Sequence, residues 1–223
     1  MTSHHPLNDD LLPRARELRA ANRSPKEIAR ALGVRPSAVA PLMRVIAREE
    51  AADEPEPAVV GCWVSPNWSA GLTVQGHEEW PERDAVDRGF GGLAGVVVAR
   101  RHRPRRVSVC GYLVDAYCLG VKNALGPEVM NDRDLTAFVR KFFRAFENAG
   151  EPVVAPLELA RHLVWGAVDY ARDLGFSPHP DFQPASGHLG MWQETSDITF
   201  GRDGTPLYIQ GPYDNLGAVT RTL

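Results

Sequence analysis

The chain has 223 residues, 43% of them hydrophobic and 24% charged, which is ordinary globular usage and excludes disordered or fibrous architectures. No apolar run is long enough to span a bilayer and the first six residues lack the apolar core of a secretory signal, so a cytoplasmic protein without membrane partners is expected. The formal net charge of −3 hides an asymmetry: between Asp10 and Arg48 nine basic residues stand against three acidic ones, and the remainder is correspondingly acidic.

Arginine outnumbers lysine 22 to 3, and Ala, Gly and Pro are abundant, as in proteins of GC-rich bacterial genomes. An individual arginine is therefore weak evidence and only clustering counts. Cys62, Cys110 and Cys118 are odd in number, form no CxxC pair and lie in apolar sequence, so buried thiols are expected in place of a disulfide framework.

In chain order, Leu11, Leu12, Ala15 and Leu18 recur at helical spacing and predict a first helix from Leu11 to Ala21, with Pro13 in its first turn. Ser24-Pro25-Lys26-Glu27 is a capping box with proline at the first helical position, and it opens a second helix through Ile28, Ala29 and Leu32 to a turn at Gly33. Val34 re-enters the core before a third helix that ends near Arg48. Residues 49 to 58 are acidic and bear prolines, and are expected to form a linker.

Beyond it, Val59 to Val64, Leu93 to Ala99 and the run from Val107 read as strands. Leu135, Phe138, Val139, Phe142, Phe143 and Phe146 mark one amphipathic helix closed by Gly150. Leu159, Leu163, Val164, Ala167, Tyr170, Ala171 and Leu174 mark another between Pro156 and Gly175. Ile198 to Gln210, centred on Asp203-Gly204, predicts a C-terminal hairpin. The fold expected is α+β: a three-helix bundle over residues 10–48, then a mixed domain over residues 59–223 in which two helices pack on a sheet.

Pro25 to Arg44 resembles the twenty-residue pattern of bacterial repressor helix-turn-helix motifs, with Ile28, Ala29, Leu32, Gly33, Val34, Val39 and Leu42 at its key positions. Ala29 is small where the helices cross, Gly33 makes the turn, and the aliphatic residues fix the interhelical angle. The resemblance implies a DNA-binding protein, specifically a bacterial transcriptional regulator. Its contacts would come from Lys26, Arg30, Arg35, Ser37 and Arg44. The outward face of the third helix departs from the pattern at Ala40 and Pro41, where base-reading side chains would be expected, which favours phosphate contact over sequence reading.

The alternative is an adaptor whose helix-turn-helix binds protein or RNA. The remainder is expected to sense a ligand, bind a partner or form a homodimer. A second basic patch is expected at a hairpin tip formed by Arg100, Arg101, Arg103, Arg105 and Arg106. Asp115 and Lys122, embedded in apolar sequence, are the best hint of an enzyme, a reading that ranks third among the functions; a structural salt bridge or a helix-end charge is the favoured role for the pair. The histidines show no metal-ligand spacing and Gly89 to Leu93 is not a phosphate loop, so neither a metal nor another cofactor is expected. In the tail, Asp214 and Asn215 are read as caps for a short final helix.

Overall fold

The computed structural model describes residues 7–21, 23–53, 56–82, 84–86, 92–145, 150–211 and 219. The expectations for Phe146, for the glycines before Gly92 and for the tail after Gly211 lie outside them. The chain divides into two compact units, residues 1–56 and 57–223.

The first unit holds α1 (Leu7–Ala20), α2 (Pro25–Leu32) and α3 (Pro36–Asp53). Its core is Ala15, Ile28, Ala29, Val39, Leu42 and Ile46, with Leu11, Leu12, Leu18, Leu32, Val34 and Met43 packed against it. Both strands of the capping box form: the Glu27 N–H donates to Ser24 Oγ at 3.4 Å and the Ser24 N–H donates to Glu27 Oε2 at 2.8 Å. At the other end of α2, Gly33 adopts φ 67° and ψ 25°. The Val34 N–H bonds to the Ala29 carbonyl at 3.0 Å and the Gly33 N–H to Arg30 at 3.3 Å, the paired closure of a left-handed helix stop.

Two boundaries differ from expectation. The first helix begins at Leu7, so Pro13 lies in its second turn. The third runs to Asp53, making residues 49–53 of the expected linker helical. Ala51 and Ala52 are good helix formers, and the run of acidic residues does not oppose a helix until Pro55. Pro41 lacks the amide that would bond the Ser37 carbonyl, yet α3 continues through it. Ser37 and Pro41 are both exposed, so water can satisfy that carbonyl.

The second unit is an α+β domain. Its strands are β1 (Val59–Val64), β2 (Thr73–Val74), β3 (Leu93–Arg103), β4 (Arg106–Asp115), β5 (Gly120–Asn131), β6 (Val153–Val154) and β7 (Ile198–Thr199). Its helices are α4 (Leu135–Arg144), α5 (Leu157–Asp173) and α6 (Phe182–Ala185). An antiparallel sheet in the order β5-β4-β3-β1-β6 forms the centre, and β2 pairs with β7 separately.

The central strands carry apolar side chains on both faces because both faces are covered. Ala94, Val96 and Val98 join Cys110, Tyr112 and Val114 beneath α5, whose Leu159, Leu163, Val164 and Ala167 are buried against them. Val97, Ala99, Val107 and Val109 face the other way and meet Leu135, Val139 and Phe143 of α4. Gly111 has no side chain where α4 crosses: a Cβ there would lie 2.6 Å from the Phe142 ring.

The reversal between β4 and β5 organises the irregular loops. Tyr117 is fully buried, donates its hydroxyl hydrogen to the Ala70 carbonyl at 2.8 Å, and lies where side chains on Gly71 and Gly92 would be. The Ala116 N–H bonds to the Gly92 carbonyl, while the Ala116 and Tyr117 carbonyls accept from the N–H groups of Gly201 and Leu207.

Those last two bonds explain why the predicted C-terminal hairpin does not form. Asp203 and Gly204 adopt φ 51° and 78°, as the turn chemistry requires, but the ladder stops after the single pair Arg202 and Thr205. The flanking residues pair with the β4–β5 reversal instead of with each other, and Ile198 and Thr199 pair with Val74 and Thr73. Among the described residues no helix is long and apolar enough to cross a membrane.

Candidate nucleic-acid interface

The capping box and the Gly33 turn hold α2 and α3 against α1, and the side chains expected to meet nucleic acid stand outside that core. Lys26 and Arg30 on α2, Arg35 in the turn, and Ser37 and Arg44 on α3 are all exposed. Along α3 they share the surface with Ala38, Ala40, Pro41 and Val45, which is 42% exposed. The surface therefore offers cations and one hydroxyl around a small apolar stripe, and few of the paired donors and acceptors that read base edges. The backbone and side-chain bonds from Ser24, with Arg23 nearby, hold the Glu27 carboxyl below its usual range.

The second basic patch loses one member. Arg101, Arg103, Arg105 and Arg106 are exposed around the β3–β4 hairpin turn, where Arg105 adopts φ 60°. Arg101 lies 3.5 Å from an Asp132 carboxylate oxygen, and Arg106 donates to the Val129 carbonyl at 3.2 Å. Arg100 is 4% exposed and does not belong to the tip: its Nε donates to the His188 carbonyl at 2.8 Å and its Nη1 to the Pro57 carbonyl at 2.7 Å. Strand alternation turns it inward, on the face of Ala94, Val96 and Val98.

Asp115 is 2% exposed at the end of β4, and its Oδ1 accepts the N–H groups of Tyr117 and Cys118, both at 3.0 Å. Burial pushes its carboxyl up to about 6, opposed by these amide bonds and by the charge of Lys122. The side chain closes a turn, a structural task. Burial also raises the Cys118 thiol to about 11 and those of Cys62 and Cys110 to about 12, so these free thiols are not nucleophiles near neutrality.

A cluster that sequence spacing did not reveal lies in the second unit. His162, on α5, is 3% exposed, and its Nδ1 accepts the Asp197 N–H at 2.9 Å. In the neutral ring the proton therefore sits on Nε2, which lies 3.9 Å from Glu194 Oε2. His77 stacks on Trp80 with ring centres 3.6 Å apart, and its Nδ1 and Nε2 each lie 3.4 Å from a carboxylate oxygen, of Glu79 and Asp197 respectively. The edges of Trp80 and Trp192 close on His162, both at 5.1 Å. The cluster joins residues 77–80 to α5 and to residues 192–197. Among the described residues no group of His, Cys, Asp and Glu has an arrangement that could hold a metal ion.

No protein-family model, curated protein or solved structure matches this chain. The resemblance of residues 25–44 to repressor motifs thus rests on their sequence pattern.

Proposed function

We propose that this chain is a DNA-binding protein, a bacterial transcriptional regulator acting in the cytoplasm. Its first unit contacts phosphates and its second unit senses a ligand or dimerises. The observation that carries the reading is the set of exposed cations Lys26, Arg30, Arg35 and Arg44 on a bundle fixed by a capping box and a left-handed turn. Phosphate contact needs charge held at a defined place, whereas base reading needs donors and acceptors that Ala40 and Pro41 do not supply.

Fluorescence anisotropy of the full chain with genomic fragments over a salt series tests this. Each phosphate contact contributes about 0.9 to the slope of log affinity against log salt, so Arg30→Ala with Arg44→Ala should lower the slope by about 2. Binding whose slope is unchanged in that variant refutes phosphate contact through these residues.

One observation favours a second reading, an adaptor that binds protein or RNA. Ala38, Pro41 and Val45 are exposed at helical spacing and make a narrow apolar stripe suited to a protein partner. In that case a partner recovered on the immobilised chain survives nuclease treatment and is lost in Val45→Glu.

A further inference from the structure

A cavity of about 180 Å³ opens in the second unit, walled by Val64, Trp68, Trp80 and Leu159, with Glu79 and Glu82 completing its lining beside strand β6. We propose that it is a binding site for an alkylammonium group, a chemistry shared by small free amines and the side chain of lysine.

Size sets the first limit. Sites for drug-sized molecules run from about 300 to 1,000 Å³, so this cavity admits a headgroup or a single side chain and not a nucleotide. The walls set the second. An ammonium ion losing water needs compensation, and indole rings supply it through their electron-rich faces while carboxylates supply opposite charge. Here Trp68 and Trp80, both largely buried, stand with two carboxylates, and the described lining contains no Lys, Arg or His. A neutral ligand of the same shape would desolvate the half-buried Glu82 without replacing its lost hydration, while Glu79, 70% exposed, adds charge at the mouth.

Trp80 and Glu82 are held in place before any ligand arrives. One face of Trp80 is covered by His77, and its edge meets His162. Glu82 Oε2 accepts the Asn67 N–H at 2.8 Å, while Asn67 Oδ1 accepts the Val86 N–H at 3.1 Å and ties the loop to itself. Walls ordered beforehand at these two positions avoid part of the cost of ordering on binding. The mouth adjoins β6, the last strand in the order of the sheet, where Val154 is 75% exposed. An extended peptide beside that strand could therefore present a lysine to the cavity.

Titration of the full chain by tryptophan fluorescence and calorimetry decides the matter, using n-butylammonium, n-pentanol and an acetylated, amidated Val-Lys-Val peptide as probes. Butylammonium binding at least about tenfold tighter than pentanol supports the site with a free amine as ligand. Binding of the peptide alone, lost when its lysine is norleucine, supports it with a peptide as ligand. The paired change Glu79→Gln with Glu82→Gln retains an acceptor for Asn67 and should weaken either ligand about tenfold while leaving the near-ultraviolet dichroism unchanged. Pentanol binding as tightly as the amine, equal binding to the Gln variant, or no binding of either cation at millimolar concentration overturns the proposal.

Discussion

Replacing Asp115 with asparagine should change how the stability of the second unit depends on pH. In the folded chain burial raises the Asp115 carboxyl from 3.8 to about 6, so between these values the native state holds a proton that the unfolded chain has released. A folded state that binds more protons loses stability as pH rises. The ionised carboxylate therefore costs stability from about pH 4 upward, and the cost is complete above the folded value. A difference of roughly two pH units corresponds to about 3 kcal/mol at neutrality.

Asparagine removes the charge, and its Oδ1 can still accept from Tyr117 and Cys118. The difference between variant and parent should thus move in favour of the variant by about 3 kcal/mol between pH 4 and pH 7. Urea titration followed by tryptophan fluorescence reads this unit alone, because Trp63, Trp68, Trp80, Trp165 and Trp192 all belong to it. A difference that stays constant across that range would refute the assignment of the raised carboxyl to burial.

Ser24→Ala removes the acceptor at the start of α2 and should cost the first unit about 1 kcal/mol, read from amide exchange of Ile28 and Ala29. Because Glu27 is held below its usual range, the contribution of the bonds to its carboxylate is present above the ordinary carboxylate range and is lost as pH falls through the folded value. The same exchange experiment in acid should show protection falling in the parent and in Ser24→Ala alike, since the variant keeps the Ser24 N–H that bonds the Glu27 carboxylate. Iodoacetamide near neutral pH should leave Cys62, Cys110 and Cys118 unmodified in the native chain and label all three in urea; rapid native labelling at any of them, seen by mass spectrometry, contradicts their burial.

What could be read in advance was local. The Ser24 to Glu27 box, the Gly33 turn and the spaced phenylalanines of α4 each act within a few residues, and each has its signature in the sequence. Arg100 was also legible in principle, since counting by twos from Val96 and Val98 places it on the inner face. It was hidden by the arginines around it. Strand β5 alternates weakly because one edge is half-exposed, and Pro127 interrupts it. The two-residue strands β2 and β7 have no period at all. The cluster of His77, Trp80, His162, Trp192 and Asp197 is assembled by packing from distant segments, so no spacing could announce it.

The β4–β5 reversal also sets an order of assembly. The meander β3-β4-β5 closes through short connections, so little chain entropy is lost before its hydrogen bonds form. The segments around Ala70 and Leu207 bond to Tyr117 across 47 and 90 residues, and have no regular partner until that reversal exists. In pulse-labelled refolding the amides of β3 to β5 should therefore gain protection before those of Gly201 and Leu207. The same loops lead to His77 and Asp197, so the histidine cluster would be among the last parts of this unit to become native.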